Sequence, residues 1–106
     1  MKAFVQTRCG DPNMSAKVLA DRFQTSQSNV TRLFRKYNDS GFLEYLHGLR
    51  VERAKRLLRE TDLPVAAIAT QVGYTNPLTL TRAFKRCVGT TPGEYRKRSE
   101  GERSGR

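Results

Sequence analysis

Two stretches of this chain match each other at an offset of fifty residues, and that repeat limits the possible folds more than any other feature. Val30-Thr31-Arg32-Leu33-Phe34-Arg35-Lys36-Tyr37 has its counterpart in Leu80-Thr81-Arg82-Ala83-Phe84-Lys85-Arg86-Cys87. Thr, Arg and Phe recur identically, and the other positions keep their chemical class approximately. In each copy the apolar residues fall at i, i+3, i+4 and i+7, which is one face of an α-helix. Val30, Leu33, Phe34 and Tyr37 form the first face, and Leu80, Ala83, Phe84 and Cys87 the second. Ser28, Arg32 and Arg35 then point away from the first face, with Thr31 on its flank. Leu78, Arg82 and Lys85 take the same places on the second helix, with Thr81 flanking. Neither 26–37 nor 76–88 contains an acidic residue. Each helix therefore anchors on one side and offers arginine and hydroxyl groups on the other.

A shorter helical pattern and a turn precede each of these helices. In the second copy Ala69 is followed four residues later by Gly73. A small alanine lets two helices cross closely, and glycine takes the positive φ of a tight turn, so the pair reads as a helix-turn-helix. Asn76-Pro77 then supplies an N-cap and a proline at the first helical position. In the first copy Ala20 matches Ala69, but Gln24 stands where Gly73 would be. A non-glycine residue in the left-handed region costs roughly 1 kcal/mol, so a strained first turn or one of different shape is expected there.

Between the copies, Phe42, Leu46, Leu49, Ala54, Leu57 and Leu58 fit one face of a long helix. Gly48 weakens that helix by about 1 kcal/mol relative to alanine without having to break it. About 18 residues at 1.5 Å each make a rod of ~27 Å, against ~34 Å for one turn of B-DNA. A rod of that length suits two reading helices near successive major-groove openings, with the shortfall met by DNA bending or by disengagement of one unit. The expected organisation is a first subdomain over 1–40, a linking helix over 41–60, a second subdomain over 61–98 and a disordered tail over 99–106. Lys2–Cys9 reads as a short first helix, with Ser15 capping the next. Thr91-Pro92-Gly93-Glu94 reads as a capping box opening a last short helix.

The charge is distributed in keeping with this repeat. The 106 residues carry 20 Lys+Arg against 10 Asp+Glu, a net +10. Residues 1–37 hold seven basic and two acidic side chains, residues 64–98 hold six and one, and the segment between them is balanced. Two separated basic blocks suit a protein that meets nucleic-acid phosphates at two places. No apolar run approaches the ~20 residues of a membrane helix. No apolar stretch of signal-peptide length opens the chain, so a cytoplasmic protein without membrane contact is expected.

No set of side chains suggests catalysis or a cofactor. Cys9 and Cys87 lie far apart with no Cys/His cluster around them, so neither a zinc site nor a disulfide framework is indicated. Cys87 reads as a packed core position and Cys9 as partly exposed. His47 lacks a ligating partner nearby and reads as a surface histidine. Glu44 and Glu52 read as solvated or ion-paired. Arg50, Arg53, Lys55, Arg56 and Arg59, with Glu52 and Glu60, read as a solvated helix face with i,i+4 pairs. There is no glycine-rich phosphate loop. No cofactor, no metal and no enzyme activity are expected.

The ordered set of these motifs resembles the DNA-binding domain of the AraC/XylS family of bacterial transcription regulators. The resemblance spans roughly residues 15–98. It is carried by Leu19-Ala20, by Leu33-Phe34-Arg35-Lys36, and by Phe42, Tyr45, Leu46, Leu49, Arg50, Ala54, Leu57 and Leu58 at the family spacing. It continues through Ile68-Ala69, Val72-Gly73-Tyr74, Arg82-Ala83-Phe84-Lys85-Arg86, Gly89, Pro92 and Tyr95-Arg96. The resemblance implies an all-α fold of seven helices, in two helix-turn-helix subdomains joined by a long central helix. The repeat and the linking helix point the same way independently. It also implies that the second helix of each unit enters the major groove. By position, Ser28, Thr31 and Arg32 would then read bases in the first unit, and Leu78, Thr79 and Arg82 in the second. Arg35, Thr81 and Lys85 would touch phosphates. Three departures stand out: Gln24 in place of the turn glycine, apolar Leu78 at an often polar position, and Asp39-Ser40-Gly41 before the long helix. Leu78 favours a thymine methyl or no readout at all.

The expected function is therefore sequence-specific binding of double-stranded DNA by a transcription regulator, an activator among the possibilities, at an asymmetric site. The alternatives are a nonspecific architectural or RNA-binding basic protein and a protein-binding helical adaptor. RNA polymerase is a further partner implied by the family. Full-length members usually carry an effector or dimerisation domain, and no segment here could be one. This domain thus reads as a monomer, either a fragment of a protein that dimerises elsewhere or a member that acts alone.

Overall fold

The computed structural model describes residues 2–35 and 41–104. Seven helices and no strands are found among them, as the repeat and the resemblance led us to expect. They are α1 (Lys2–Arg8), α2 (Ala16–Arg22), α3 (Gln27–Phe34), α4 (Phe42–Glu60), α5 (Val65–Val72), α6 (Pro77–Val88) and α7 (Pro92–Ser104). The proposed apolar residue Tyr37, the neighbouring Lys36, and Asp39-Ser40 ahead of the long helix lie outside the described residues.

The apolar periodicities close into two cores on one shared rod. Val5, Leu19, Ala20, Val30 and Phe34 pack with Phe42 and Leu46 from the first half of α4. Ile68, Ala69, Val72, Leu80, Ala83 and Phe84 pack with Val51, Ala54 and Leu58 from its second half. Phe34 meets Phe42 edge-on at 5.2 Å, and Phe84 meets Tyr95 in the same way at 5.4 Å. Offset edge contacts of this kind add to simple burial because the electropositive ring edge meets the electronegative face. Side by side, the two lobes make an elongated body of 51 × 24 × 22 Å.

Local chemistry sets the helix ends. The Ser15 side chain accepts from the Val18 amide, Ser26 from Asn29, and Asn76 from Leu78, each satisfying an orphan donor of the helix it opens. At α7 the Thr91 hydroxyl accepts from the Glu94 amide while the Glu94 carboxylate accepts from the Thr91 amide. This is a complete capping box, and the bonds that the carboxylate accepts, first from the Thr91 amide and then from its hydroxyl, hold the Glu94 carboxyl below its ordinary range. The helix so nucleated runs on to Ser104, past residue 98, so the expected disorder over 99–106 does not hold for residues 99–104. Arg96 closes the far end of α4, its Nε donating to the Leu58 carbonyl and its Nη2 to that of Thr61. Those are carbonyls that the helix terminus leaves without intrahelical donors.

The two turns share one shape despite their different residues. Thr25 N donates to Ala20 O at 2.9 Å, and Tyr74 N to Ala69 O at 2.8 Å, the same closure in both units. Gly73 stands at φ 108 and Gln24 at φ 52, both left-handed. Of the two expectations for Gln24, strain within an unchanged turn is the one observed. Gln24 is exposed, so replacing it removes strain and little packing. Gln24→Gly is expected to stabilise the chain by about 0.5–1 kcal/mol, the strain relief exceeding the extra freedom glycine gives the unfolded chain. A urea midpoint that moves down instead of up would count against this.

The expectations for Cys87, Cys9 and Arg50 need correction. Cys87 is exposed rather than packed, because the inward stripe of α6 passes from Phe84 to Val88, four residues on, instead of three. Cys9 is buried, at 1 % exposure, because α1 folds back on the first core. Arg50 is no part of a solvated face: it is 6 % exposed. Arg56–Glu60 does lie in solvent as the expected i,i+4 pair, at 3.0 Å, whereas Lys55–Glu52 is an i,i+3 pair at 3.3 Å whose lysine is half-buried. Exposed pairs of this kind contribute little to stability.

Candidate nucleic-acid interface

The second helix of each unit presents its acid-free face outward. On α3, Ser28, Arg32 and Arg35 are exposed and Thr31 is half-buried. Together with Gln27 these four residues border one open groove. The Thr31 methyl sits 3.0 Å from where a Cβ on Gly41 would lie. Thr31 thus packs against the N-terminus of α4 with one side while its other side borders the groove. On α6, Leu78 is 52 % exposed, and Thr79, Arg82 and Lys85 are exposed beside it. Their positions put all four on one strip of the helix. The Thr81 hydroxyl donates to the Pro77 carbonyl at 3.2 Å. That bond occupies the one O–H donor within the helix, so a phosphate, which offers only acceptors, is met only if the hydroxyl turns away from Pro77.

The two arginines are held differently. Arg32 Nη2 donates to Asn29 Oδ1 at 2.6 Å, and Asn29 Nδ2 donates to Thr25 Oγ1 at 2.8 Å. This chain of side chains orients the guanidinium along α3. Asn29 escaped the sequence reading, although its i,i+3 spacing to Arg32 was a usable signal. Gln27 was likewise missed. Arg82 makes no hydrogen bond or ion pair among the described residues and has both edges of its fork available. A guanidinium fork matches the O6/N7 edge of guanine or a phosphate.

Behind the second unit, His47 is half-buried and not a simple surface residue. Its Nδ1 lies 2.5 Å from the Tyr74 hydroxyl, and the rings stack at 5.7 Å. Burial lowers its pKa below the ordinary 6.5, with Arg86 and Arg50 acting in the same direction and Glu44 against it. Burial raises the Tyr74 pKa, so its hydroxyl stays protonated and can donate to neutral Nδ1. Because the folded-state pKa of His47 is the lower one, the unfolded chain takes up the proton first as pH falls. The stabilisation is complete above 6.5 and is lost as the pH drops through the lower folded-state value. The unfolding midpoint temperature should accordingly drop as the pH is lowered below about 6.5, and His47→Gln should flatten that slope. An unchanged slope in the variant would assign it to other groups.

No cluster of three or more metal-ligating side chains occurs among the described residues, and no helix is long and apolar enough to cross a membrane. Two helix-turn-helix units built on one shared helix, each with an acid-free outer face, define a double helix-turn-helix DNA-binding domain. The family model described as "Helix-turn-helix domain" matches residues 19–98. Proteins of Streptomyces antibioticus and Streptomyces lividans named as AraC-like transcription regulators are each 44 % identical to the chain, over 79 and 89 residues. Those matches cover 74 % and 82 % of this chain, but only 26 % and 29 % of the relatives. The chain therefore spans little more than a quarter of their length. Among solved structures, the DNA-binding domain of the global transcriptional factor AdpA in complex with a target DNA superposes with a TM-score of 0.87. It has 29 % identity and covers 96 % of this chain and 91 % of that one. The chain belongs to the AraC-type helix-turn-helix family of transcription regulators, a family of DNA-binding domains and not of enzymes.

Proposed function

We propose that the chain reads a specific, asymmetric double-stranded DNA site by placing α3 and α6 in successive major grooves. The observation that carries this is the pair Arg32 and Arg82. They sit at equivalent positions of two acid-free helices, each exposed and each fixed to its own core. The likeness to a domain solved on its target DNA supports the same reading. Arg32 and Arg82 are the main base readers, each suited to guanine through its fork. Ser28 and Thr79 add hydroxyl contacts, Thr31 lends its groove-facing side, and Leu78 meets a thymine methyl. Arg35 and Lys85 contact phosphates, and Thr81 joins them by turning its O–H from the Pro77 carbonyl to a phosphate oxygen. The site is asymmetric because the two readers differ in sequence. A 19-residue α4 spans ~28 Å at 1.5 Å per residue, short of the ~34 Å turn, so engagement of both helices calls for bent DNA, the alternative being that one unit disengages.

A bacterial cytoplasmic setting, contact with RNA polymerase, and dimerisation through parts of a longer protein all follow from this reading as further proposals. The test is selection from a random duplex library at moderate salt, followed by sequencing of the bound DNA. A motif in two unequal parts about one helical turn apart is the expected result. Strong binding without any motif would replace this reading with nonspecific or RNA binding. Negligible DNA binding would favour a protein partner.

A further inference from the structure

The two lobes are joined by more than the helix they share. Arg50 leaves α4 near its middle and is buried between them. Its Nε donates to the Cys9 carbonyl at 2.8 Å and its Nη2 to the Asp11 carbonyl at 2.9 Å, both in the turn after α1 of the first lobe. Its guanidinium also lies 5.0 Å over the ring of Tyr74, in the turn of the second lobe. One planar fork thus serves two carbonyls and an aromatic face at once, which no other side chain can do. Beside it, a Cβ on Gly73 would stand 2.7 Å from the Cys9 carbonyl oxygen, so the two turns are in direct contact. Glu44 and Arg86 cross the same seam at 2.8 Å.

The shared helix is weakest where the lobes meet. Gly48 lies between Leu46, which packs into the first core, and Val51, which packs into the second. Nothing lies within 4 Å of a Cβ placed there, so no packing requires a glycine. A glycine inside a helix lowers local helix stability.

We infer that Arg50 is a positioning residue for DNA reading. It clamps the turn after α1 to the turn before α6 across the weak point at Gly48, and so fixes the spacing between the two halves of a DNA site that the chain accepts. This rests on the two-helix reading proposed above. One base pair of extra spacing moves a half-site by about 3.4 Å and rotates it by about 35°. A clamped chain cannot follow that shift, whereas a chain hinged at Gly48 can.

The experiment uses duplexes carrying the selected two-part motif with zero, one or two base pairs inserted or removed between the parts, together with duplexes carrying each part alone. For the unaltered chain, a one-base-pair change should lower affinity at least tenfold, toward that of the better single part. For Arg50→Gln, shown to be folded by circular dichroism, the penalty should shrink to about threefold or less, with single-part affinities unchanged. Adding Gly48→Ala to Arg50→Gln should restore most of the penalty, which a role in lobe stability alone does not predict. A folded Arg50→Gln chain that keeps the full spacing penalty overturns the inference, as does one whose single-part binding falls instead. If Arg50→Gln does not fold, Arg86→Gln at the exposed tie takes its place, with partial relaxation expected and an unchanged penalty overturning the inference. A selected motif with no spacing dependence in the unaltered chain overturns the clamp but leaves sequence-specific reading standing. Only a selection without any motif removes that reading itself.

Discussion

Gly73→Ala should lower the unfolding free energy by about 2–5 kcal/mol. Two effects add. Gly73 stands at φ 108, and an L-residue held in the left-handed region costs about 1–2 kcal/mol. The new methyl would also lie 2.7 Å from the Cys9 carbonyl and 2.8 Å from Arg50 Nε. Both are pinned, the first by backbone and the second by its two carbonyl bonds, so overpacking of about 1–3 kcal/mol follows. A domain of this size has roughly 5–15 kcal/mol to lose, and each kcal/mol shifts Tm by about 4–8 °C. A fall of at least about 8 °C is the expected result. Gly89→Ala is the internal control: its φ is 95, but nothing lies within 4 Å of its Cβ, so only the backbone cost of about 1–2 kcal/mol applies. Equal shifts in the two variants would show that the seam between the lobes yields freely.

The largest functional effect is expected from Arg32→Ala combined with Arg82→Ala. A bidentate arginine–guanine contact discriminates by about 1–3 kcal/mol. The two residues sit on helices that pack in separate cores and share no partner among the described residues, so their losses should add. The double variant should bind the selected duplex about 2–6 kcal/mol more weakly, while binding to random duplex falls much less. Each single variant should relax preference at its own half of the motif. A parallel loss on selected and random DNA would make both arginines phosphate contacts. Arg32→Ala also frees Asn29 from its 2.6 Å bond, so the first half carries a small added change in order.

The fold was legible because its local rules agree with one another. Periodicity placed the helices, and Ser15, Asn76 and Thr91-Glu94 capped them as the residues predict. The repeat exposed the two units, and even the awkward Gln24 was visible as a residue in a glycine's place. Misreadings clustered where two elements meet. Cys87 and Val88 are both compatible with the inward face of α6, and only the docking of that helix chose Val88. His47 looked solitary because Tyr74, its partner, lies 27 residues away. Of the candidate readers, the exposed side chains of α3 and α6 follow from periodicity. The packing of Thr31 against Gly41 does not, because Gly41 belongs to another helix.

Sequence alone therefore determined what each helix is and the side on which most of its apolar residues lie, and with it the outward side chains of α3 and α6. Those properties depend on residues three or four apart, and backbone geometry fixes their relation. Tertiary structure alone decided that Arg50, an apparent surface charge, is buried as the tie between the lobes. Its partners are the carbonyls of Cys9 and Asp11 and the ring of Tyr74. A backbone carbonyl has no letter in a sequence, and burying a guanidinium is tolerable only where the fold brings such acceptors to meet it.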